Sequence, residues 1–306
     1  MVVLGVVGGS SLVKFDPKDS FEAIGLAVAS KQDITVDTDY GKVKLHRVEL
    51  SAKGGKKGGA PAHTIYFMQR HGHSKAGGIT PPHKINHRAN VKALDMVGVE
   101  AIVATTSVGT IFKNFPPGRV GVANQYIDFT GTVITYHDDD AQFTSVTQPF
   151  DAKLNAALLE TLRREQKLKA SEQLEFCYWL SQGPYYETAA EVTAAERLGA
   201  HVCGMTAVRE AKLCCELAIP YSALTVASNW AAGRHPGDPS MALNHEEVSE
   251  MSARVTGTIV KCLIDLLKNG LPTSGRTSPP TSSADDKKRS KGAETPSSNK
   301  KARAAK

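Results

Sequence analysis

Several signals that would settle a function class are missing from this sequence of 306 residues. Cysteine is sparse: Cys177, Cys203, Cys214, Cys215 and Cys262 make an odd set with no CxxC pair and no His/Cys ligand spacing. That pattern argues against a disulfide framework and a structural zinc site, and fits buried thiols in a reducing compartment. No apolar run is long enough to cross a bilayer, and the opening MVVLGVVGGSSL carries no basic leader, so a soluble, cytoplasmic protein is expected. The glycines of VVGGSS do not form GxGxxG, and no acidic residue closes a second strand at the offset a dinucleotide fold requires. The Lys of a Walker A loop is also lacking.

Excess charge is lacking too, once the chain is divided. The formal net charge is +6, yet nine of the 37 Lys/Arg and three of the 31 Asp/Glu fall in residues 272–306. That leaves 28 of each sign in residues 1–271. A folded nucleic-acid-binding domain would carry basic excess on its body, so nucleic acid is expected as a partner only through the tail. Beyond Leu271 bulky apolar residues vanish and Ser, Thr, Pro, Lys and Arg take over, a composition expected to stay disordered. Lys287-Lys288-Arg289 and Lys300-Lys301-Ala302-Arg303 form a candidate nuclear address or polyanion arm, set against the simpler reading of a solubilising tail. Two regions follow: a folded domain over 1–271 and a disordered basic tail over 272–306.

What is present is an alternation of buried strands and helices. Strands are expected over VVLGVVGG, residues 40–50, HTIYFMQ, VEAIVATTSVGT, 119–128, 174–181 and 222–228; helices over 86–98, 151–167, 188–198 and 245–270. The Gly/Lys-rich stretch 51–62 reads as an extended hairpin loop. The expected class is α/β, a single-domain, three-layer fold with a central mixed sheet flanked by helices. Strand ends carry the polar residues, and ligands of open α/β sheets sit at such ends. Gly8-Gly9-Ser10-Ser11, Gln69-Arg70-His71-Gly72 and Thr105-Thr106-Ser107-Val108-Gly109 offer backbone N–H groups, hydroxyls and a guanidinium suited to an oxyanion. Each piece alone is also ordinary turn or surface chemistry. A second set suits a planar heterocycle and a sugar: Tyr186 and Glu187, then Gly204, Met205 and Thr206, then Asn229. Core filling is the commoner fate of a Tyr or Met, and Glu187 could simply favour a helix amino terminus.

Taken in order, GGSSL, MQRHGH, PPHKINHRAN, ATTSVGT, QGPYYETAAE, HVCGMTAVREA and ASNWAAG resemble the trimeric purine nucleoside phosphorylase and methylthioadenosine phosphorylase family, collinearly from residue 3 to about residue 265. The resemblance implies a homotrimer whose active sites lie near subunit boundaries, with inorganic phosphate as co-substrate and neither organic cofactor nor metal. Carried over, it makes Ser10, Arg70, His71, Thr106 and Ser107 phosphate ligands. Val108, Gly109, Tyr186, Glu187, Gly204, Met205, Thr206, Asn229 and Ala231 become nucleoside contacts, with Asn229 and Glu187 in the catalytic roles at purine N7 and the base edge.

The methylthioadenosine branch has aspartates where this chain has Asn229 and Ala231. An amide can accept from N7–H while donating to a 6-oxo group, and Glu187 can accept from the N1–H that 6-oxopurines carry. The expected activity is therefore phosphorolysis of inosine, guanosine or methylthioinosine in purine salvage. Methylthioadenosine cleavage, a hydrolytic nucleosidase on the same fold, and a catalytically weak nucleic-acid-binding protein acting through its tail are the alternatives.

Overall fold

The computed structural model describes residues 1–10, 12, 21–22, 24–53, 62–72, 78–243 and 245–273. Most of the basic tail, the centre of the Gly/Lys-rich loop and Ser11 lie outside the described residues. Nine strands form one mixed sheet: β1 (Val2–Gly8), β2 (Leu26–Thr38), β3 (Gly41–Ala52), β4 (His63–Gln69), β5 (Ala101–Thr110), β6 (Val120–Asp128), β7 (Glu175–Leu180), β8 (Val202–Gly204) and β9 (Tyr221–Trp230). Among the described residues six α-helices with full bounds accompany them: α1 (His87–Met96), α2 (Ala152–Glu165), α3 (Ala189–Arg197), α4 (Ala207–Glu216), α5 (His245–Arg254) and α6 (Thr256–Asn269).

The strand order is β2-β3-β4-β1-β5-β8-β7-β6-β9, with a further pairing of β5 to β9. That last pairing makes β5, β8, β7, β6 and β9 a closed ring, while β1 to β4 extend it as an open wing. Closure removes the free edges that the ring strands would otherwise expose. The central parallel strands β1, β5 and β9 are buried nearly throughout, which is why they read as continuous β-branched and alanine-rich runs rather than as alternating patterns.

Register sets the function-bearing end. Gly8 of β1 pairs with Gln69 of β4, and Val7 pairs with Ala104 of β5. On the other side Thr106 pairs with Thr225 of β9, and Gly109 with Asn229. The four parallel strands therefore finish side by side, and GGS, QRH, TTS and SN arrive together.

Two expectations change. The single helix expected over 245–270 is two helices, divided at Val255, whose backbone (φ −96°, ψ 2°) leaves the helical path. The break lets the polar α5 pack on β9 while the apolar α6 packs on α2, burial directions that one straight helix cannot serve. Strand β2, the three-residue β8 and helix α4 were not anticipated. β2 is largely exposed and polar, and α4 is buried around most of its circumference, so neither shows a clean period. Among the described residues no helix is long and apolar enough to cross a membrane.

Leu224, fully buried in β9 where the ring closes, is expected to cost about 2–5 kcal/mol on truncation to alanine. Leu198→Ala, at a side chain 55% exposed, should change stability by no more than about 0.5 kcal/mol. Urea unfolding of the two variants checks the contrast.

Candidate functional site

The aligned strand ends open onto a cavity of about 240 Å³. Gly9, Ser10, Arg70, His71, Thr106 and Ser107 line one end, and Gly109, Tyr186, Glu187, Gly204, Met205, Thr206 and Asn229 line the rest. Residues separated by as many as 220 positions thus share one concavity. Val108 and Ala231 are placed elsewhere. The Val108 side chain is buried, and its carbonyl accepts a 3.2 Å hydrogen bond from the Ser228 hydroxyl. Ala231 borders a larger neighbouring cavity of about 510 Å³. The two spaces share Ser228 and Asn229. Only the smaller space joins the hydroxyl and guanidinium cluster to the base-edge set, so the chemistry belongs there.

At the anion end the geometry is close-packed. A Cβ at Gly9 would lie 2.7 Å from Nη1 of Arg70, so only glycine lets the first turn approach the guanidinium. The Gly9 N–H donates to the Thr105 hydroxyl at 3.2 Å. Arg70 is buried, not at the surface. Its Nε and Nη2 donate to Glu210 at 2.5 and 2.8 Å, and its Nη1 donates to the Thr105 carbonyl at 2.7 Å. Burial works against the Arg70 charge, but the Glu210 carboxylate more than compensates and holds it protonated. Burial likewise works against the Glu210 charge, and Arg70 brings that carboxyl down to about 2. The His71 ring is lowered in pKa by burial while Nδ1 lies 2.8 Å from the Thr80 carbonyl, which makes the ring neutral, with Nδ1 the protonated, donating nitrogen. The pocket end is thus rich in N–H and O–H donors and poor in net charge.

Beneath it, the buried Tyr178 hydroxyl lies 3.4 Å from the Thr106 hydroxyl and accepts a 3.4 Å bond from the Thr206 N–H. A Cβ at Gly204 would come within 2.1 Å of that hydroxyl. Ser107 is tied to α5 by a 2.9 Å hydroxyl contact with Ser252.

At the other end, Asn229 donates through Nδ2 to the Trp230 carbonyl and accepts from the Ser228 hydroxyl, both at 2.8 Å. One N–H and one lone pair on the amide are left for a ligand. Glu187 accepts from the Ser181 hydroxyl. The amino terminus of α3 is capped instead by a reciprocal Thr188–Glu191 box, so Glu187 is not consumed as a helix cap. Cys203 lines the cavity close to Glu187, and burial pushes its thiol well above the usual range.

Sequence reasoning missed Cys203, Ser228, Pro82, Ile79 and Val248 in the lining, and Ser181, Tyr178 and Glu210 behind it. None of these carried a clear signal, and Glu210, 140 positions from Arg70, sits on α4, which is buried around most of its circumference. Among the described residues no group of three His, Cys, Asp or Glu is placed to hold a metal ion.

A family model described as the phosphorylase superfamily matches residues 26–267. A probable 6-oxopurine nucleoside phosphorylase of Thermococcus kodakarensis is 33% identical over 274 residues, 87% of this chain and 91% of the relative. The 6-oxopurine nucleoside phosphorylase of Pyrococcus furiosus is 32% identical, with 85% and 90% covered. A probable S-methyl-5'-thioinosine phosphorylase of Methanopyrus kandleri is 32% identical, with 86% and 92% covered. Among solved structures, a methylthioadenosine phosphorylase from Schistosoma mansoni in complex with adenine superposes with a TM-score of 0.67 at 22% identity, covering 87% of this chain and 91% of that one.

His87 supplies a test of the site's electrostatics. It is buried, neither ring nitrogen has a hydrogen-bond partner, and burial lowers its pKa from 6.5. The unfolded chain therefore binds a proton that the folded chain resists. Stability from this group is fully present above about pH 6.5 and is lost as pH falls through the window below it. The Glu210 contribution lies lower, present above 4.5 and lost as pH falls toward 2. His87→Phe is expected to flatten the onset of the decline in melting temperature as pH falls below about 6.5, while leaving the decline below 4.5 that Glu210 contributes, as read by thermal denaturation across pH.

Proposed function

The chain belongs to the phosphorylase superfamily, and from that premise we propose that it cleaves the N-glycosidic bond of 6-oxopurine nucleosides with inorganic phosphate, giving free base and a pentose 1-phosphate. The observation that carries this reading is the single cavity in which a donor-rich, nearly charge-neutral anion cradle and a carboxylate–amide pair face each other. A nucleoside and a phosphate meeting at the anomeric carbon need that juxtaposition.

Phosphate is held by Ser10, Arg70, His71, Thr106 and Ser107 under the sugar, with the ribose over Met205. As the bond from the anomeric carbon to the purine breaks, its electron pair passes to the base and the sugar acquires oxocarbenium character. The adjacent phosphate anion stabilises that cation and then forms the new carbon–oxygen bond, from a cradle already oriented before reaction. Asn229 supports the base at N7 as it takes up a proton from solvent, and Glu187 accepts from N1–H at the opposite edge. A 6-aminopurine lacks the N1–H and presents a donor where Asn229 would donate, a mismatch worth on the order of 10⁴-fold at best. The scheme uses phosphate as co-substrate and neither an organic cofactor nor a metal.

Apolar side chains of Ile79, Pro82 and Val248 border the same cavity, which favours a methylthio group as an acceptable 5′ substituent. S-methyl-5'-thioinosine is accordingly a second substrate of the same site.

We further propose a homotrimer. The exposed Phe129 and Tyr185 border a surface cleft that shares Tyr186 and Glu187 with the cavity, and Phe143 is 96% exposed; these are large aromatic surfaces of the kind that a second copy of the chain would cover.

Steady-state assay of inosine, S-methyl-5'-thioinosine and S-methyl-5'-thioadenosine, with and without phosphate, tests the reaction. Base release from the two oxopurine nucleosides should require phosphate and should exceed release from the aminopurine. Phosphate-independent release would identify a hydrolase instead. Asn229→Ala should lower kcat on inosine by roughly 10²–10³, as for removal of one preorganised transition-state donor. Phe143→Asp should reduce the mass of the native assembly in light scattering; an unchanged trimeric mass would remove Phe143 from the interface, and a monomeric wild type would remove the trimer.

A further inference from the structure

Behind the anion end lies a buried carboxylate that phosphorolysis as described does not use. Glu210 sits on α4 and is fully inaccessible. It receives Nε and Nη2 of Arg70 at 2.5 and 2.8 Å, and the Tyr221 hydroxyl of β9 donates to its Oε2 at 2.8 Å. From the first turn of α1, His87 Nδ1 stands 3.7 Å from its Oε1. Arginine carries five N–H donors in a fixed planar fork. Two are spent on Glu210 and one on the Thr105 carbonyl, which leaves one on Nη1 and one on Nη2. Nη1 faces the turn at Gly9, and Arg70 borders the cavity.

We propose that Glu210 is the positioning residue of the phosphate site: it fixes the plane of the Arg70 guanidinium so that its two uncommitted N–H groups face the bound phosphate, with Tyr221 in turn fixing Glu210. The inference rests on the phosphorolysis reading, since it concerns how Arg70 meets phosphate. A flexible side chain held only by the Thr105 carbonyl could turn about the guanidinium normal and misdirect both donors. The bidentate carboxylate removes that freedom. It also cancels the Arg70 charge, so the cradle selects its anion through aimed donors rather than through attraction at a distance. Phosphate binding should accordingly respond weakly to ionic strength, because short-range hydrogen bonds in a buried site are little screened.

The test is steady-state kinetics on the full chain with inosine and inorganic phosphate varied independently. Glu210→Asp keeps the charge but withdraws the carboxylate by one methylene, and Tyr221→Phe keeps the ring but removes the hydroxyl. Each is expected to raise the KM for phosphate, by roughly tenfold or more for Glu210→Asp, the worth of one charge-assisted hydrogen bond. The KM for inosine should stay within about twofold of the parent, below the worth of a neutral hydrogen bond. Glu210→Gln leaves Arg70 buried without a counter-charge and is the variant most exposed to misfolding, so the two charge-keeping variants carry the result, with thermal melts to verify the fold. An unchanged KM for phosphate in the folded variants, or equal rises for both substrates, would overturn the positioning role while leaving phosphorolysis intact. Base release by the parent protein that ignores phosphate would overturn the phosphorolysis reading, and the inference with it.

Discussion

The constraint on which the rest of the molecule depends is the register of its parallel strands. β4, β1, β5 and β9 terminate at one level because Gly8 pairs with Gln69, Val7 with Ala104, and Thr106 with Thr225. A one-residue slip in any of these pairings would turn a strand's side chains over and bury the hydroxyls meant for the cavity. The register is held by apolar packing on both faces of the central strands, so the same Val, Ile and Ala residues that form the core also aim the site. Stability and function are coupled through this alignment. The closing pair β5–β9 strengthens the coupling, since it seats Asn229 directly beside Gly109.

Electrostatics then acts within that frame. Burying a guanidinium and a carboxylate together costs solvation that their attraction does not always return. The pair is therefore poorly explained as a source of stability alone. What it provides is a cation that is held protonated, neutralised and immobile. His71, whose charge burial disfavours, commits its Nδ1–H to the Thr80 carbonyl and presents Nε2 as an acceptor, which suits a protonated oxygen of the anion and adds no charge. At the opposite end Glu187 accepts from the neutral Ser181 hydroxyl and lies beside the Cys203 thiol, whose own hydrogen goes to the Gly109 carbonyl at 3.4 Å. One end of the cavity is thus furnished for an anion and the other for a neutral heterocycle with an N–H. A site built on bulk charge would not separate the two so cleanly.

The parts of this arrangement visible in the sequence are those in which local chain pattern and chemistry coincide. Strand ends such as QRHG and TTSVG show themselves because a buried apolar run stops abruptly on polar residues. The helices at 151–167 and 188–198 show themselves because Asp151 and Thr188 cap them. The β8 strand is too short to have a period, and the sequence does not reveal that β5 pairs with β9 because nothing local encodes ring closure. Val255 breaks the last long helix, and the one nearby marker, Gly257, falls inside the first turn of α6 rather than at the break. The support for Arg70 was equally hidden, because Glu210 lies 140 positions away and reads as one more charge in a segment without a clean period.

That last example bears on how a strand-end motif should be interpreted. Arg-His-Gly at the end of β4 is compatible with a surface ion pair, a buried structural pair or an anion ligand, and the residues themselves do not choose among them. The geometry removes the surface reading outright, since Arg70 is buried. It does not make the other two alternatives compete. A guanidinium has more donors than a carboxylate can accept, so a bidentate pair with Glu210 leaves N–H groups over. In a dry interior those groups must find an acceptor or carry an unmet desolvation cost. Bordering a cavity lined by Ser10, Thr106 and Ser107, they find it in whatever oxyanion enters. The ion pair and the ligand site are two halves of one hydrogen-bonding requirement.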